Sequence, residues 1–145
     1  MNNPLDLCLT LSHAHASLTL KLDDVLGTLH GLSYNDFLLL TLLSRAEDGR
    51  MAVADLVRPL GVQLSAVTRQ LVLLEKTGLA QREPEVAADG RRHVAIRSGG
   101  KKLLNGATVT AAAVCADLVH TLPANTLPDV NETLQLIRRS DVLDL

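Results

Sequence analysis

The sequence predicts a mainly α-helical protein built around a winged helix-turn-helix with a two- to three-stranded β-wing. Apolar residues recur at helical spacing over most of the 145 residues. Two short helical segments joined by a glycine-containing turn are followed by two strand-like segments, which is the pattern of that motif. Residues 58–102 hold nine basic and four acidic residues, although the net charge is −2. This segregation is typical of a lobe that faces a polyanion.

The first helix is predicted from apolar residues at helical spacing that end before Gly31: Leu11, Leu18, Leu22, Val25 and Leu29, with His15 at the position between the first two. Residues 5–11 also alternate between leucine and other residues, so a strand is possible there. The helical rhythm lasts for more than twenty residues, which favours a helix.

A second helix over residues 34–46 is apolar on nearly all sides, which is typical of a buried central helix. Ser33 is its predicted N-cap, with Asp36 at the third helical position. Asp48-Gly49 then predicts a turn.

The helix-turn-helix is predicted from residues 52–58, a tight connection at Leu60-Gly61-Val62, and a helix over residues 63–77. Pro59 is expected to end the first of these helices early, because the residue before a proline disfavours the α conformation. The second helix has Val67, Leu71 and Leu74 on one face and Gly78 as its cap.

Residues 79–83 and 92–97 are predicted strands, joined by a loop with a turn at Asp89-Gly90. A long helix from Ser98, its predicted cap, to Leu122 follows. Pro123 and Pro128 bracket a break before a last helix with four apolar residues at helical spacing: Leu127, Val130, Leu134 and Ile137. The expected domains are a winged helix over 32–97 and a helical dimerisation region formed by 1–31 and 98–145.

The composition excludes several classes of function. The sequence contains no tryptophan, one tyrosine (Tyr34) and one phenylalanine (Phe37). A protein that stacks single-stranded bases on several aromatic side chains is therefore excluded. No phosphate loop, zinc-protease motif or nucleophile elbow occurs, so we expect neither an enzyme nor a cofactor. The N-terminal residues lack the basic start of a signal peptide, and no apolar run approaches about 18 residues. We therefore expect a cytoplasmic protein without membrane contact.

Residues 32–83 resemble the core of the MarR-type winged-helix transcriptional regulators. The similarity lies in Leu32-Ser-Tyr34, Gly61-Val62, Val67-Thr68-Arg69 and Leu74-Glu-Lys-Thr-Gly-Leu79, with Arg82 following. The loop Asp89-Gly-Arg-Arg92 resembles the family's Asp-x-Arg wing, and Gly100-Lys-Lys-Leu-Leu104 lies where its long dimerisation helix starts. The sequence departs from the family at Gln63-Leu64, Leu73 and Arg97.

The resemblance implies a dimeric transcriptional regulator that binds double-stranded DNA and is released by a small effector, and we expect it to be a repressor. The residues themselves indicate a homodimer. The apolar stripes on residues 8–29, 103–122 and 127–137 are too large for so small a domain to cover.

The N-terminal end of the second helix of such a motif contacts base edges in the major groove. Arg69 could donate two hydrogen bonds to guanine and Gln63 could contact adenine. The alternatives are that Arg69 contacts a phosphate and that Gln63 caps the helix.

Asp89 and Arg91 are expected to pair, so that Arg91 or Arg92 enters the minor groove. Arg82, Lys101 and Lys102 are phosphate contacts or members of structural ion pairs. The predicted major-groove residues are Gln63, Leu64, Ser65, Thr68 and Arg69.

The resemblance places an effector crevice between the dimerisation helices and the winged helix, with a lining that could include His15, Leu18, His30 and Tyr34. Cys8 and Cys115 resemble, in rough placement, the cysteines of the family's peroxide sensors. The apolar neighbours of Cys8 instead favour two inert core cysteines. His13 and His15 point to different sides of a helix, so no metal site is predicted.

A different class of function remains open. A winged helix can serve protein–protein contact, as in an antirepressor, although a wing as basic as Arg91-Arg92 disfavours it. Binding to DNA through phosphates weakens steeply with salt, which separates the two hypotheses.

Overall fold

Residues 3–139 are described by the computed structural model, which is mainly helical with one small sheet. The predicted ends of the dimerisation region, residues 1–2 and 140–145, lie outside the described residues. The α-helices are α1 (Pro4–His30), α2 (Tyr34–Arg45), α3 (Val57–Leu60), α4 (Leu64–Lys76), α5 (Ser98–Val119) and α6 (Leu127–Arg139). The strands are β1 (Arg50–Ala52), β2 (Ala80–Arg82) and β3 (His93–Ile96).

Helix α1 confirms the predicted N-terminal helix, and residues 5–11 belong to it rather than to a strand. Asn3 caps its start by accepting a 2.8 Å hydrogen bond from the backbone N–H of Asp6. Gly31 ends it in the left-handed conformation, at φ 63°. Leu22 and Leu26 are fully buried and join α1 to the core.

Helix α2 lies at the centre of the core, as its apolar sequence predicts. Leu39, Leu40 and Leu43 have no exposed surface. Ser33 caps the helix as predicted, since its hydroxyl accepts a 3.0 Å hydrogen bond from the Asp36 N–H. Both α1 and α2 pack against α5.

The helix-turn-helix is present, with one difference from the sequence prediction. A 3₁₀ turn over Val53–Leu56 leads into α3, which continues through Pro59 to Leu60. The expectation that Pro59 ends this helix is wrong. Pro59 lies in the first turn, where a backbone N–H would have no helical acceptor, so its missing donor costs nothing. In α4 the predicted face of Val67, Leu71 and Leu74 is buried.

The wing is a three-stranded antiparallel sheet in the order β1-β3-β2. Strand β1, which the element-by-element analysis of the sequence missed, pairs Ala52 with His93. On the other side β2 pairs Arg82 with Val94. Gly100 at the start of α5 lets that helix pack on the sheet, because a Cβ there would lie 2.1 Å from the Leu79 carbonyl oxygen.

Helix α5 begins at Ser98, but Arg97 and not Ser98 occupies its N-cap position, and no side chain caps it. The helix ends at Val119, before a 3₁₀ turn at Ala124–Thr126. Pro128 therefore lies in the first turn of α6 rather than in the break.

Much of the apolar surface outside the winged helix is exposed in the single chain. Helix α5 is long and apolar enough to cross a membrane by length and composition, with a mean hydropathy of 1.3 over 18 residues, of which 17% are buried. Polar residues interrupt this helix, so it contains no continuous apolar run of about 18 residues, and its alanine and valine residues raise the mean hydropathy. The exposed large side chains include Leu5, Leu7, Leu9, Leu118, Leu122, Leu127, Val130, Leu134, Leu136 and Ile137.

Candidate nucleic-acid interface

The outer face of α4 carries the polar side chains that the sequence singles out. Ser65 and Arg69 are exposed, and Thr68 is half-buried, with its hydroxyl donating to the Leu64 carbonyl oxygen at 3.0 Å. Leu64 is 52% exposed. Gln63 is the N-cap residue, yet its side chain makes no capping hydrogen bond. The five residues therefore share one accessible surface, and the structure gives no support to Gln63 as a side-chain cap.

Helix α4 is fixed to α2 by a hydrogen-bonded trio that the sequence analysis missed. The amide of Gln70 donates to an Asp36 carboxylate oxygen at 2.9 Å. The Gln70 side-chain oxygen accepts from the Asn35 amide at 3.2 Å. These contacts set the rotation of α4, and hence the direction in which the adjacent Arg69 projects. Helical spacing alone places Gln70 on the polar side, and nothing in the sequence indicates its partner.

The wing differs from the predicted pairing of Asp89 with Arg91. The Asp89 carboxylate accepts the backbone N–H of Arg91 at 2.9 Å. The Arg91 guanidinium instead forms two hydrogen bonds to Asp55, of 2.5 and 3.1 Å. Asp55 lies 36 positions before Arg91, on the 3₁₀ turn Val53–Leu56. The sequence prediction did not include it, because only the tertiary fold brings this turn beside the wing. The Arg91 hydrogen bonds lower the pKa of the Asp55 carboxyl below its ordinary value.

Arg92 also lies on the wing and is exposed. Its guanidinium donates to the Pro84 carbonyl oxygen at 3.2 Å, across the base of the loop. A single contact to a carbonyl leaves most of the five guanidinium N–H donors available. Arg92 is thus less firmly held than Arg91.

Arg82 belongs to a structural ion pair. Its guanidinium donates to Glu75 at 2.8 and 3.2 Å, and its backbone N–H donates to the same carboxylate at 2.9 Å. These contacts join β2 to α4 and lower the pKa of Glu75. Of the two predicted roles, the ion pair is present in the structure, and the phosphate contact of Arg82 stays a prediction.

The ammonium groups of Lys101 and Lys102 have no hydrogen bond or ion pair among residues 3–139, and both side chains are exposed in the first turns of α5. The Arg69 guanidinium is likewise without a partner within the described part of the chain. These three cations, unlike Arg82, have no internal carboxylate that competes with an external anion.

A cleft of about 510 Å³ separates α4 from the wing. Leu64 and Thr68 line it from α4, Ala52, Val53 and Ala54 form its floor, and Arg82, Glu83, Arg91 and Arg92 line it from the wing side. The exposed face of α4 and the basic wing therefore flank one concave surface.

The four predicted effector-pocket residues are not gathered in one cavity of the single chain. His15 is exposed on α1. His30 lies 2.7 Å from the Thr110 hydroxyl and lines a cleft that contains none of the other three. Tyr34 stacks on Phe37 at 6.2 Å, and burial raises the pKa of its hydroxyl. Leu18 is half-buried against the core.

Cys8 is exposed and Cys115 is half-buried, and both are free thiols. The interpretation of two core cysteines is therefore wrong for Cys8 in the single chain, because α1 turns that side chain away from the packed face. Among residues 3–139, no three His, Cys, Asp or Glu side chains cluster as a metal site would require.

A known family model matches the part of the chain that contains α4 and the wing loop. Residues 30–92 match the model of the MarR family. No significant match is found among curated protein sequences.

Similar solved structures extend the likeness to nearly the whole chain. A MarR family transcriptional regulator from Silicibacter pomeroyi is 26% identical, with a TM-score of 0.82 over 94% of this chain and 89% of that one. The M. tuberculosis regulator MOSR in complex with DNA is 20% identical, with a TM-score of 0.74 over 92% and 93%. CouR from Rhodococcus jostii bound to p-coumaroyl-CoA is 17% identical, with a TM-score of 0.83 over 95% of each chain.

Proposed function

From the premise that residues 30–92 form a winged helix of the MarR type, we propose that this chain is a dimeric transcriptional regulator, specifically a repressor, that binds double-stranded DNA. Helix α4 enters the major groove and the wing enters the adjacent minor groove. A structural relative with the same fold is seen in complex with DNA.

The observation that carries the proposal is the unequal pairing of the basic side chains. Arg82 is bound to Glu75 and Arg91 to Asp55, whereas Arg69 projects from α4 without an internal partner. An exposed arginine beside polar helix residues has the donor geometry for a guanine edge. Lys101 and Lys102, also unpaired and exposed at the start of α5, supply phosphate contacts.

The homodimer is proposed from the exposed apolar residues of α1, α5 and α6. A monomer rarely leaves so much apolar surface in water. In this proposal residues 1–31 and 98–145 form the dimerisation region, and residues 32–97 form the DNA-binding domain. Two winged helices related by a two-fold axis would contact half-sites about one helical turn apart.

Release by a small effector is proposed on the likeness to CouR, which is seen with p-coumaroyl-CoA. His15, Leu18, His30 and Tyr34 do not share a cavity in one chain, so the crevice would have to be completed by the partner copy. An effector acts by favouring one spacing of the two winged helices.

The experiment compares Arg69→Ala with Arg91→Ala on a specific site and on random DNA, across a salt series. Arg69→Ala is expected to cost about 1–3 kcal/mol on the specific site and to relax specificity at one position. Arg91→Ala, which also releases the wing from Asp55, is expected to weaken the specific and the random DNA evenly, because the wing does not contact base edges in the major groove. Arg138→Ala, which removes an exposed arginine of α6, is the matched control and leaves both affinities unchanged.

Equal weakening of both DNAs by Arg69→Ala would make Arg69 a phosphate contact instead. If neither Arg69→Ala nor Arg91→Ala alters affinity, the DNA-binding proposal is wrong and the antirepressor hypothesis takes its place.

A further inference from the structure

A buried histidine lies at the base of the wing, outside the surface assigned to DNA. His93 begins β3 and is 8% exposed. Its Nδ1 lies 3.1 Å from the Arg91 carbonyl oxygen. Its Nε2 lies 3.3 Å from a carboxylate oxygen of Asp89. Both ring nitrogens therefore face hydrogen-bond acceptors, which a neutral imidazole with one N–H cannot satisfy together.

The charged groups around His93 come from each element packed against it. Asp89 contacts the ring from the wing loop, while Asp55 on the 3₁₀ turn and Glu83 after β2 interact with it electrostatically. Arg91 neutralises Asp55, and Arg50 on β1 is bound to Glu83 at 2.7 Å. Three carboxylates against two guanidinium groups leave one negative charge beside the ring.

Asp89 links the ring to the wing tip. One of its carboxylate oxygens faces His93, and the other accepts the Arg91 backbone N–H at 2.9 Å. The Arg91 carbonyl oxygen in turn accepts the Ala87 N–H at 2.9 Å as well as facing the His93 ring. We call His93, Asp89 and the Arg91 backbone the wing clasp.

We propose that the wing clasp is a proton-operated switch that orders residues 87–91 when His93 is protonated and loosens them when it is neutral. Protonated, the ring donates to both the Asp89 carboxylate and the Arg91 carbonyl oxygen. Neutral, it retains one N–H, and the lone pair of the other nitrogen faces an acceptor. Histidine is the side chain that changes charge between about pH 5 and 8.

Asp55 and Glu83 do not compete for this role. Their hydrogen bonds to Arg91 and Arg50 lower both carboxyl pKa values, so both groups stay ionised over that interval. The clasp presents the Arg91-Arg92 tip, so its effect on DNA rests on the proposed function: DNA affinity falls as the pH rises through the histidine range.

The test is amide hydrogen exchange of the free protein at pH 5.5 and pH 8, corrected for the intrinsic pH dependence of exchange. The protection of the Ala87 and Arg91 amides is expected to be about five- to tenfold higher at the lower pH, because charge-assisted hydrogen bonds are about twice as strong as neutral ones. His93→Gln and Asp89→Asn are both expected to abolish this difference. Asp89→Asn keeps an oxygen for the Arg91 N–H and changes a half-exposed residue, so it preserves the fold.

His120→Gln, which removes an exposed histidine at the end of α5, is the control and retains the wild-type difference. Wild-type protection that is independent of pH overturns the clasp, as does an unchanged difference in Asp89→Asn. Because no DNA is present, a pH-dependent wing in a protein that fails to bind DNA would support the clasp and contradict the proposed function alone.

Discussion

The winged helix and the flanking helices solve the burial of apolar residues in different ways. In the winged helix, Leu39, Leu40, Leu56, Val67 and Leu71 have no exposed surface, so one chain completes this core by itself. In the flanking helices, large apolar side chains remain 41–74% exposed, from Leu20 on α1 to Leu136 on α6. The apolar core of the winged helix is buried within one chain, whereas the exposed apolar side chains of the flanking helices have the pattern of a surface that a second copy covers.

Charge follows the same division. Three acidic side chains of the winged helix form ion pairs with arginines: Glu75 with Arg82, Asp55 with Arg91 and Glu83 with Arg50. Arg69 stays unpaired on its surface. The Glu75–Arg82 pair joins α4 to β2, and the other two pairs join the wing to β1 and to the 3₁₀ turn.

The largest effect on stability is expected from a core truncation inside the winged helix. Leu71→Ala on α4 is expected to lower the free energy of unfolding by about 2–5 kcal/mol, because it leaves a cavity among fully buried side chains. Leu73→Ala, two residues away and 62% exposed, is expected to change it by about 0.5 kcal/mol or less. Denaturant unfolding at one protein concentration measures both, and equal losses would contradict the assigned core.

In the flanking helices the test changes exposed apolar residues, because these are the proposed dimer contacts. The double variant Val130→Asp/Leu134→Asp on α6 is expected to raise the dimer dissociation constant at least about 100-fold, because association would bury unpaired carboxylates. Val86→Asp in the wing loop, 51% exposed, leaves the dissociation constant unchanged. Sedimentation over a concentration series distinguishes them. A double variant as dimeric as the wild type would remove α6 from the interface.

A smaller effect is expected at the Glu75–Arg82 pair, which joins α4 to the wing. The pKa of Glu75 is lower in the folded chain than its ordinary 4.5, so the pair stabilises the fold above that pH. The stabilisation disappears as the pH falls through the folded value. Glu75→Gln is expected to lose about 0.5–1 kcal/mol at pH 7 and to approach the wild type near pH 3. Glu132→Gln on α6 serves as the control, and a loss that is the same at both pH values would contradict the ion-pair account.

The helical architecture could be predicted because apolar spacing and caps are local signals. Ser33, Gly31 and the Val67/Leu71/Leu74 face each depend on residues within a turn or two. Strand β1 could not be predicted in the same way. It has three residues, and its pairing with β3 joins positions more than forty apart. The error at Pro59 arose because the rule on the preceding residue was applied without knowing where the first turn begins.

The sequence predicted which side chains share the exposed face of α4, but it did not predict the hydrogen-bond partners of the site residues. Helical geometry placed Ser65 and Arg69 on one face, which the structure reproduces. The partners of Arg91 and Gln70 were missed because Asp55 and Asp36 reach them only through the tertiary fold. The buried environment of His93 is likewise set by three separate elements, so the wing clasp left no signal in the sequence.

The most direct test of the account is a titration of wild-type protein on the upstream DNA of its own gene, recorded across salt concentrations with the stoichiometry determined. The account predicts two protomers per site and a log–log salt slope of about −4 or steeper, as release of counterions from about five or more phosphates requires. Binding by single protomers, or an affinity that does not change with salt, would contradict it.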